Sequence, residues 1–294
     1  MSLSFSRAFA ALTLVTALGC SQDTGSVNVT IWGEEFIETQ IGPAQNADDE
    51  GGFQNNWTLT FNRFLIHVSD VTVNNTAEGS AGALPMGRVY DLHNTRGSGT
   101  PVGAIANVAV GRADQVAFRI NPATMASVAG NASDADLGFM RMNGYSVYFE
   151  ASATRPGLAT PITLRWGFTA ATRFSECVGE ANQPGVVVAA GAAAAAQITI
   201  HGDHFFYDSL SGETDMNGNS LTRLRFDAIA NADANRDNVV TLDELAAVDL
   251  TTLPANQYRA GNIPNVVTLR DFVAYQTRSL GHFNGEGECR TTPL

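Results

Sequence analysis

From about residue 27 to residue 202, apolar and polar positions mostly alternate with a period of two. The stretches VNVTIW (27–32), WTLTFNRFLIHVSDVTV (57–73), RVYDL (88–92), QVAFRI (115–120), YSVYFEAS (145–152), ITLRWGF (162–168), GVVVAA (185–190) and QITIH (197–201) alternate or run rich in Val, Ile, Thr and aromatics. Gly, Asn, Asp and Pro clusters separate them. Alternation gives each strand one core face and one wet face, so this pattern predicts an antiparallel β-sandwich. The run GVVVAAGAAAAAQITI (185–200) is apolar but short, and predicts a buried hairpin with an alanine-rich turn. No βαβ rhythm appears, and G-x-G-x-x-G, P-loop, G-x-S-x-G and H-E-x-x-H patterns are absent, which excludes the nucleotide and hydrolase sites they mark. Trp57 and Trp166 fall inside these strands and read as core.

After residue 220 the period changes. LTRLRFDAIANAD (221–233), TLDELAAVDL (241–250) and TLRDFVAYQTRSLGHF (268–283) read as helices, with the polar turn SGETDMNGNS (211–220) before them. The expected fold class is therefore β-rich α+β. Its parts are a signal segment over 1–20, a β-sandwich body over 21–210, and an EF-hand-like helical unit with a C-terminal tail over 211–294.

The signal segment is read from MSLSFSRAFAALTLVTALGC (1–20). Arg7 gives a positive start, and Ala8 to Leu18 form an apolar stretch too short to cross a bilayer. The ending TALGC resembles the bacterial lipoprotein signal, which implies lipidation of Cys20, a membrane anchor and a place in the cell envelope. Ala17 stands where such signals usually carry leucine, and Ser21 after the cysteine implies the outer membrane. With Cys20 lipidated, Cys177 and Cys289 remain, and an exported protein oxidises such a pair to a disulfide.

DANRDNVVTLDEL (233–245) matches an EF-hand calcium loop position by position. Asp233, Asn235 and Asp237 fall at positions 1, 3 and 5, the Val239 carbonyl at 7, Thr241 at 9 and Glu244 at 12. Ca²⁺ takes six to eight hard oxygens, and a loop winding round the ion presents alternate side chains to it. Asn238 occupies position 6, where glycine is expected; the position needs positive φ, and asparagine tolerates it best after glycine. NVVTLRDF (265–272) echoes NVVTLDEL (238–245) without the acidic ligands, so Val266 and Val267 are candidates to pair with Val239 and Val240.

QITIHGDHFFYDSL (197–210) places His201 and His204 around Asp203. Gly202 can break the strand, and Asp203 can then cap a short helix with His204 in its first turn. A metal needs a further ligand, and GHFNGEGEC (281–289), tied to the body by the expected disulfide, supplies His282, Glu286 and Glu288. The other reading, which the sequence favours, is a hydrogen-bonded brace between sheet and helices. His67 reads as a satisfied strand histidine and His93 as a solvated one.

The chain carries 17 basic residues, all arginine, against 29 acidic ones, for a net charge of −12. With no basic stripe, nucleic acid is excluded as an expected partner. The strand-rich opening at 57–73 resembles periplasmic copper-binding proteins associated with methanobactin uptake, and it also resembles calcium-loop lipoproteins of soil bacteria. That likeness implies copper or zinc handling but assigns no copper ligand. The expectation is an exported, lipid-anchored, non-catalytic calcium-binding protein with an unassigned protein or small-molecule partner. Copper or zinc handling, and a metal-dependent hydrolase, are the alternatives.

Overall fold

The computed structural model describes residues 23–294 apart from 96 and 98, so the signal segment and Cys20 lie outside the described residues. The first half supplies β1 (Thr24–Trp32), α1 (Glu34–Glu38), β2 (Thr58–Asn75), β3 (Ser80–Leu84), β4 (Arg88–Asp91), β5 (Thr100–Ala109), β6 (Gly111–Ala113), β7 (Gln115–Ile120), β8 (Val128–Ala129) and α2 (Asp134–Asn143). Next come β9 (Val147–Thr154), β10 (Ile162–Phe168), β11 (Thr172–Ser175), β12 (Val186–Val188) and β13 (Ala193–Ile200). The last third adds α3 (Asp227–Asn231), β14 (Val239–Val240), α4 (Leu242–Ala246), α5 (Leu269–Gln276), β15 (Gly281–Phe283) and β16 (Arg290–Pro293).

The fold is β-rich α+β. One sheet has four strands in the order β15-β13-β1-β5. A ten-stranded sheet runs β14-β10-β9-β2-β7-β11-β16, with β3, β4 and β8 attached beside it, and β6 pairs with β12 alone. Strand β2 holds the large sheet together. Its first half pairs with β9 and its second with β7, and within the pairing to β7 the register slips at Ser69/Thr72, where Asp70 takes φ 50°. A bulge bends and twists a strand, so one long apolar run serves both halves of the sheet. Val27, Val29 and Ile31 of β1 share one core with Leu164 and Trp166 of β10. Between them lies a cluster of rings, with Phe149 at 5.0 Å from Phe205 and at 5.4 Å from Phe61. Offset and edge contacts of this kind add about 0.5–1.5 kcal/mol each beyond area burial. Trp57 and Trp166 are core residues, as the pattern predicts.

Three expectations need correction. The sheets are mixed, since β1 runs parallel to β13, β10 to β14 and β4 to β8. The 185–200 run is no hairpin: β12 pairs with β6 and β13 with β1, because the turn between them passes the chain from one sheet to another. That turn is held against β1 by Ser26 N–H to Ala192 O and Gly191 N–H to Thr24 O, both 2.9 Å. Finally, residues 211–294 do not stand apart. Strands β14, β15 and β16 extend the two main sheets, and Leu245, Phe272 and Leu280 enter the common core. The helices there are shorter than the pattern suggests, and the Gly-His-Phe run expected to be helical forms β15.

Cys177 and Cys289 form a disulfide across a sequence separation of 112 residues. It lies beside the β11–β16 pairing and the Val178 N–H to Glu288 O bond at 2.9 Å. Replacing both cysteines by serine should cost roughly 4–5 kcal/mol on the chain-entropy account of so long a loop. Urea unfolding followed by tryptophan fluorescence measures this, and an unchanged midpoint would show that the cross-link adds nothing.

Candidate metal centre

The centre forms where β13 ends. His201 N–H donates to Leu280 O at 3.0 Å, the last rung before the chain turns away. Gly202 follows with ordinary φ, but a Cβ there would meet Ile37 Cγ1 at 2.6 Å and Phe61 Cε2 at 3.1 Å. Glycine is therefore required by close packing. A single 3-10 turn over Asp203–Phe206 comes next, pinned by Phe205 and Phe206 in the core. That anchor turns His204 back beneath His201. Strand β15 runs antiparallel to β13 and sets His282 opposite Thr199. The His201 ring lies 4.1 Å from that of His282, and the His204 ring is 5.2 Å from each, centroid to centroid. One nitrogen of each imidazole lies within 4.8 Å of the other two.

All three histidines and Asp203 are buried, none more than 8 % exposed. Asp203 does not cap the turn, as the sequence suggested. It is the first residue of the turn, and its Oδ2 accepts from Tyr207 OH at 2.9 Å. Asp203 Oδ1 and His282 Nδ1 are buried without a hydrogen-bond partner. Ser279 hydroxyl donates to Gln276 O at 3.0 Å, so at its 3.0 Å contact with His204 it accepts from Nδ1–H. This leaves His204 Nε2 with a free lone pair.

The carboxylate Glu34 Oε1 stands 3.0 Å from His201 Nε2, but Nε2 lacks an aligned hydrogen bond. The distance qualifies and the direction does not, so we read a close charge contact whose alignment is incomplete. On the other edge of the ring, Nδ1 lies 4.0 Å from Asp203 Oδ1 and 3.9 Å from Glu286 Oε2. Burial pulls the His201 pKa down, yet Glu34, Asp203 and Glu286 outweigh it and leave it raised. Burial, followed by repulsion from His201 and His282, holds His204 well below the usual imidazole range. His282 is lowered by burial and by His201. Burial raises Glu34 and Asp203 against the opposing pull of His201. Two of the three imidazoles are thus kept neutral, the form that binds metals.

Two cavities meet at this cluster. One of about 410 Å³ is lined by His204, His282, Arg278 and Glu288. The other, about 240 Å³, is lined by His204, Tyr207 and Gln276.

Sequence reasoning brought together His201, Asp203, His204, His282 and Glu286, which are neighbours here. Glu288 lines a cavity wall with His282 and its charge acts on that imidazole, but it belongs to neither group of converging donors. Glu34, Tyr207 and Ser279 escaped the sequence reading. Glu34 carries no pattern that points to a residue so distant in sequence, whereas Tyr207 and Ser279 lie within the segments 197–210 and 268–283 and fit ordinary core and helix-end roles.

The loop at 233–244 is formed differently. Asp233 accepts from the amides of Asp237 at 3.1 Å and Asn238 at 3.0 Å, and Asn238 adopts φ 63° as position 6 requires. Asn235 Oδ1 also accepts from Asp237 N–H. Glu244 Oε2 accepts from Thr241 N–H at 2.8 Å, closing a capping box at the start of α4, while Oε1 is buried and unpartnered. Among the described residues, the carboxylates of Asp233, Asp237 and Glu244 do not draw within 4.8 Å of one another. Val239 and Val240 pair with Thr163 and Leu164 of β10, and Val266 and Val267 do not pair with them. The Val267 carbonyl instead accepts from Leu250 N–H, and Leu269 N–H donates to Val248 O, which ties the start of α5 to the segment after α4.

His67 is satisfied within its strand, with Nδ1 2.7 Å from Asn121 O and Nε2 2.9 Å from Ser127 Oγ. His93 is half-buried and not simply solvated, its Nδ1 2.9 Å from Ile37 O. The chain matches no protein-family model, no curated protein and no solved structure.

Proposed function

We propose that the protein is a non-catalytic metal-handling protein of the bacterial cell envelope, holding copper or zinc on His201, His204 and His282. The observation that carries this reading is the convergence of three buried imidazoles, two of them neutral, beside buried polar atoms with no partner. Leaving polar atoms unsatisfied in a buried site costs about 1–3 kcal/mol each, a cost that an ion removes. Three imidazoles suit Cu and Zn, and the unpartnered Asp203 Oδ1 lies 4.0 Å from His201 Nδ1. This reverses the balance between brace and metal drawn from the sequence. A brace would use its hydrogen-bonding groups on one another, whereas here Asp203 Oδ1 and His282 Nδ1 are left over. The native protein is expected to carry Cu or Zn at one equivalent by metal analysis after extensive dialysis. His204→Ala and His282→Ala should each lower that content at least tenfold while keeping the circular dichroism of the fold. A metal-free wild-type protein that also fails to take up Cu or Zn on titration would end this reading.

The loop from Asp233 to Glu244 is proposed to bind one Ca²⁺ as a structural brace, using Asp233, Asn235, Asp237, the Val239 carbonyl, Thr241 and Glu244. Its donor set, the positive φ at Asn238 and the unpartnered Glu244 Oε1 support this. An ion bound only by the folded state raises stability once its concentration exceeds Kd. Calcium in millimolar excess should therefore raise Tm by several degrees, and Glu244→Gln should abolish the rise. Equal melting temperatures for the wild type in calcium and in chelator would remove the site.

Lipid anchoring through Cys20 accounts for the oxidised cysteine pair, since disulfides persist where the compartment is oxidising. Cys20→Ser is expected to move the protein from the membrane fraction to the soluble one. Membrane association that survives this substitution rules the anchor out.

A further inference from the structure

We infer that Glu34 is a positioning residue for the metal centre, holding His201 by Nε2 so that Nδ1 faces the ion. This rests on the three-histidine reading. An imidazole that binds a metal through one nitrogen needs a partner for the other, and that partner fixes the tautomer and the ring plane. His204 follows this plan, with Ser279 at Nδ1. For His201 the corresponding group is Glu34, whose Oε1 is 3.0 Å from Nε2.

Three features of Glu34 point the same way. It is a carboxylate only 9 % exposed, in a place where an unpaired charge is costly. Its backbone takes φ 54°, a conformation seldom adopted by a residue with a side chain and commonly retained at functional sites. The chain is also fixed just before it, because a Cβ at Gly33 would meet Leu92 Cβ at 2.6 Å. Tight packing and a strained backbone thus deliver one carboxylate from the start of α1 to one nitrogen of His201. Glu34 does not belong to the group of three converging histidines; it forms a second group with His201 and Glu286, in which one donor atom of each lies within 4.8 Å of the other two. The other ring nitrogen, Nδ1, lies 4.0 Å from Asp203 Oδ1 and 3.9 Å from Glu286 Oε2. The incomplete alignment at Nε2 fits a contact that tightens when the ion draws the ring into place, as contacts in unliganded sites do.

The test is titration of the intact, dialysed protein with Co²⁺ followed by its visible bands, and with Cu²⁺ followed by electron paramagnetic resonance. Wild type, Glu34→Gln and Glu34→Asp are compared, with apo-protein melting curves recorded for each. Glu34→Gln is expected to weaken binding ten- to a hundredfold and to shift both spectra, with Glu34→Asp in between. Wild-type affinity in Glu34→Gln, or weaker binding with unchanged spectra, would overturn the positioning role and leave the three-histidine site standing. If wild type gives no Co²⁺ bands and no bound Cu²⁺ signal, the three-histidine reading fails and the role of Glu34 with it. Should Glu34→Gln fail to fold, Glu34→Asp, which keeps the charge but shortens the reach, decides by the same two readouts.

Discussion

The pairing of β13 with β15 is the constraint on which the rest depends. Three residue pairs join them, Ile198 with Phe283, Thr199 with His282 and Ile200 with Gly281, flanked by the His201 N–H to Leu280 O and Asn284 N–H to Gln197 O bonds. Those rungs hold the chain's last third against a sheet begun at residue 24. They hold only because Gly281 has no side chain: a Cβ there would stand 2.9 Å from Phe118 and from Phe174. The stacked pair of rings, 4.9 Å apart, belongs to β7 and β11 of the large sheet. One glycine therefore lets the two sheets close on each other, and His282 is carried into the interior beside His201 as a consequence. The disulfide fixes the same segment from its other side, at Cys289.

Closing the sheets buries ionisable groups that a purely apolar core would exclude. A buried charge is tolerable when paired, and removing one partner usually costs more than the pair contributes. At Asp208, which is wholly buried, the solution is complete: Arg225 pairs with it and Arg223 N–H donates to it at 2.9 Å. At the histidine cluster the solution is partial. Glu34 and His201 can share a proton, while His204 and His282 stay neutral and leave acceptors over. The contrast between two buried polar sites in one core separates a brace from a site that has room for an ion.

The strands of the body were legible because their residues alternate and their ends carry turn chemistry; β7 and β10 fall on the predicted residues. Strand β5 was harder to see, since TPVGAIANVA alternates small residues with few large ones and its burial comes from neighbours. Helix α2 carries its signals at its two ends and not in an apolar period. Ser133 caps it by accepting from Asp136 N–H, and Gly144 ends it at φ 60°. Parallel pairings left no local mark, because parallel partners lie far apart in sequence and their connections obey the whole fold. The same limit hid Glu34. A histidine pair separated by Gly-Asp shows itself in a short window, but a carboxylate brought to it from the start of the chain does so only in three dimensions.

The two candidate ion sites share a support, which explains why the sequence reading divided the chain where the structure does not. The loop at 233–244 ends in α4, whose capping box is Thr241 with Glu244. Helix α5 repeats the device with Thr268 and Asp271, and Arg270 reaches Asp243 of α4 at 3.4 Å. From the end of α5 the chain passes directly to Ser279, which holds His204, then to Leu280, which accepts from His201, and then to His282. On the loop's other side, Val240 lies in the large sheet, and its carbonyl accepts from Trp166 Nε1 at 2.8 Å. Trp166 in turn packs on Phe206, two residues beyond His204. The helical pattern after residue 220 thus marks a set of short props inserted between the sheets. Their ends, rather than their apolar faces, carry the chemistry. A window of hydrophobic periodicity weighs faces and gives no weight to ends, so it reads these props as a separate unit when they are the frame of the centre.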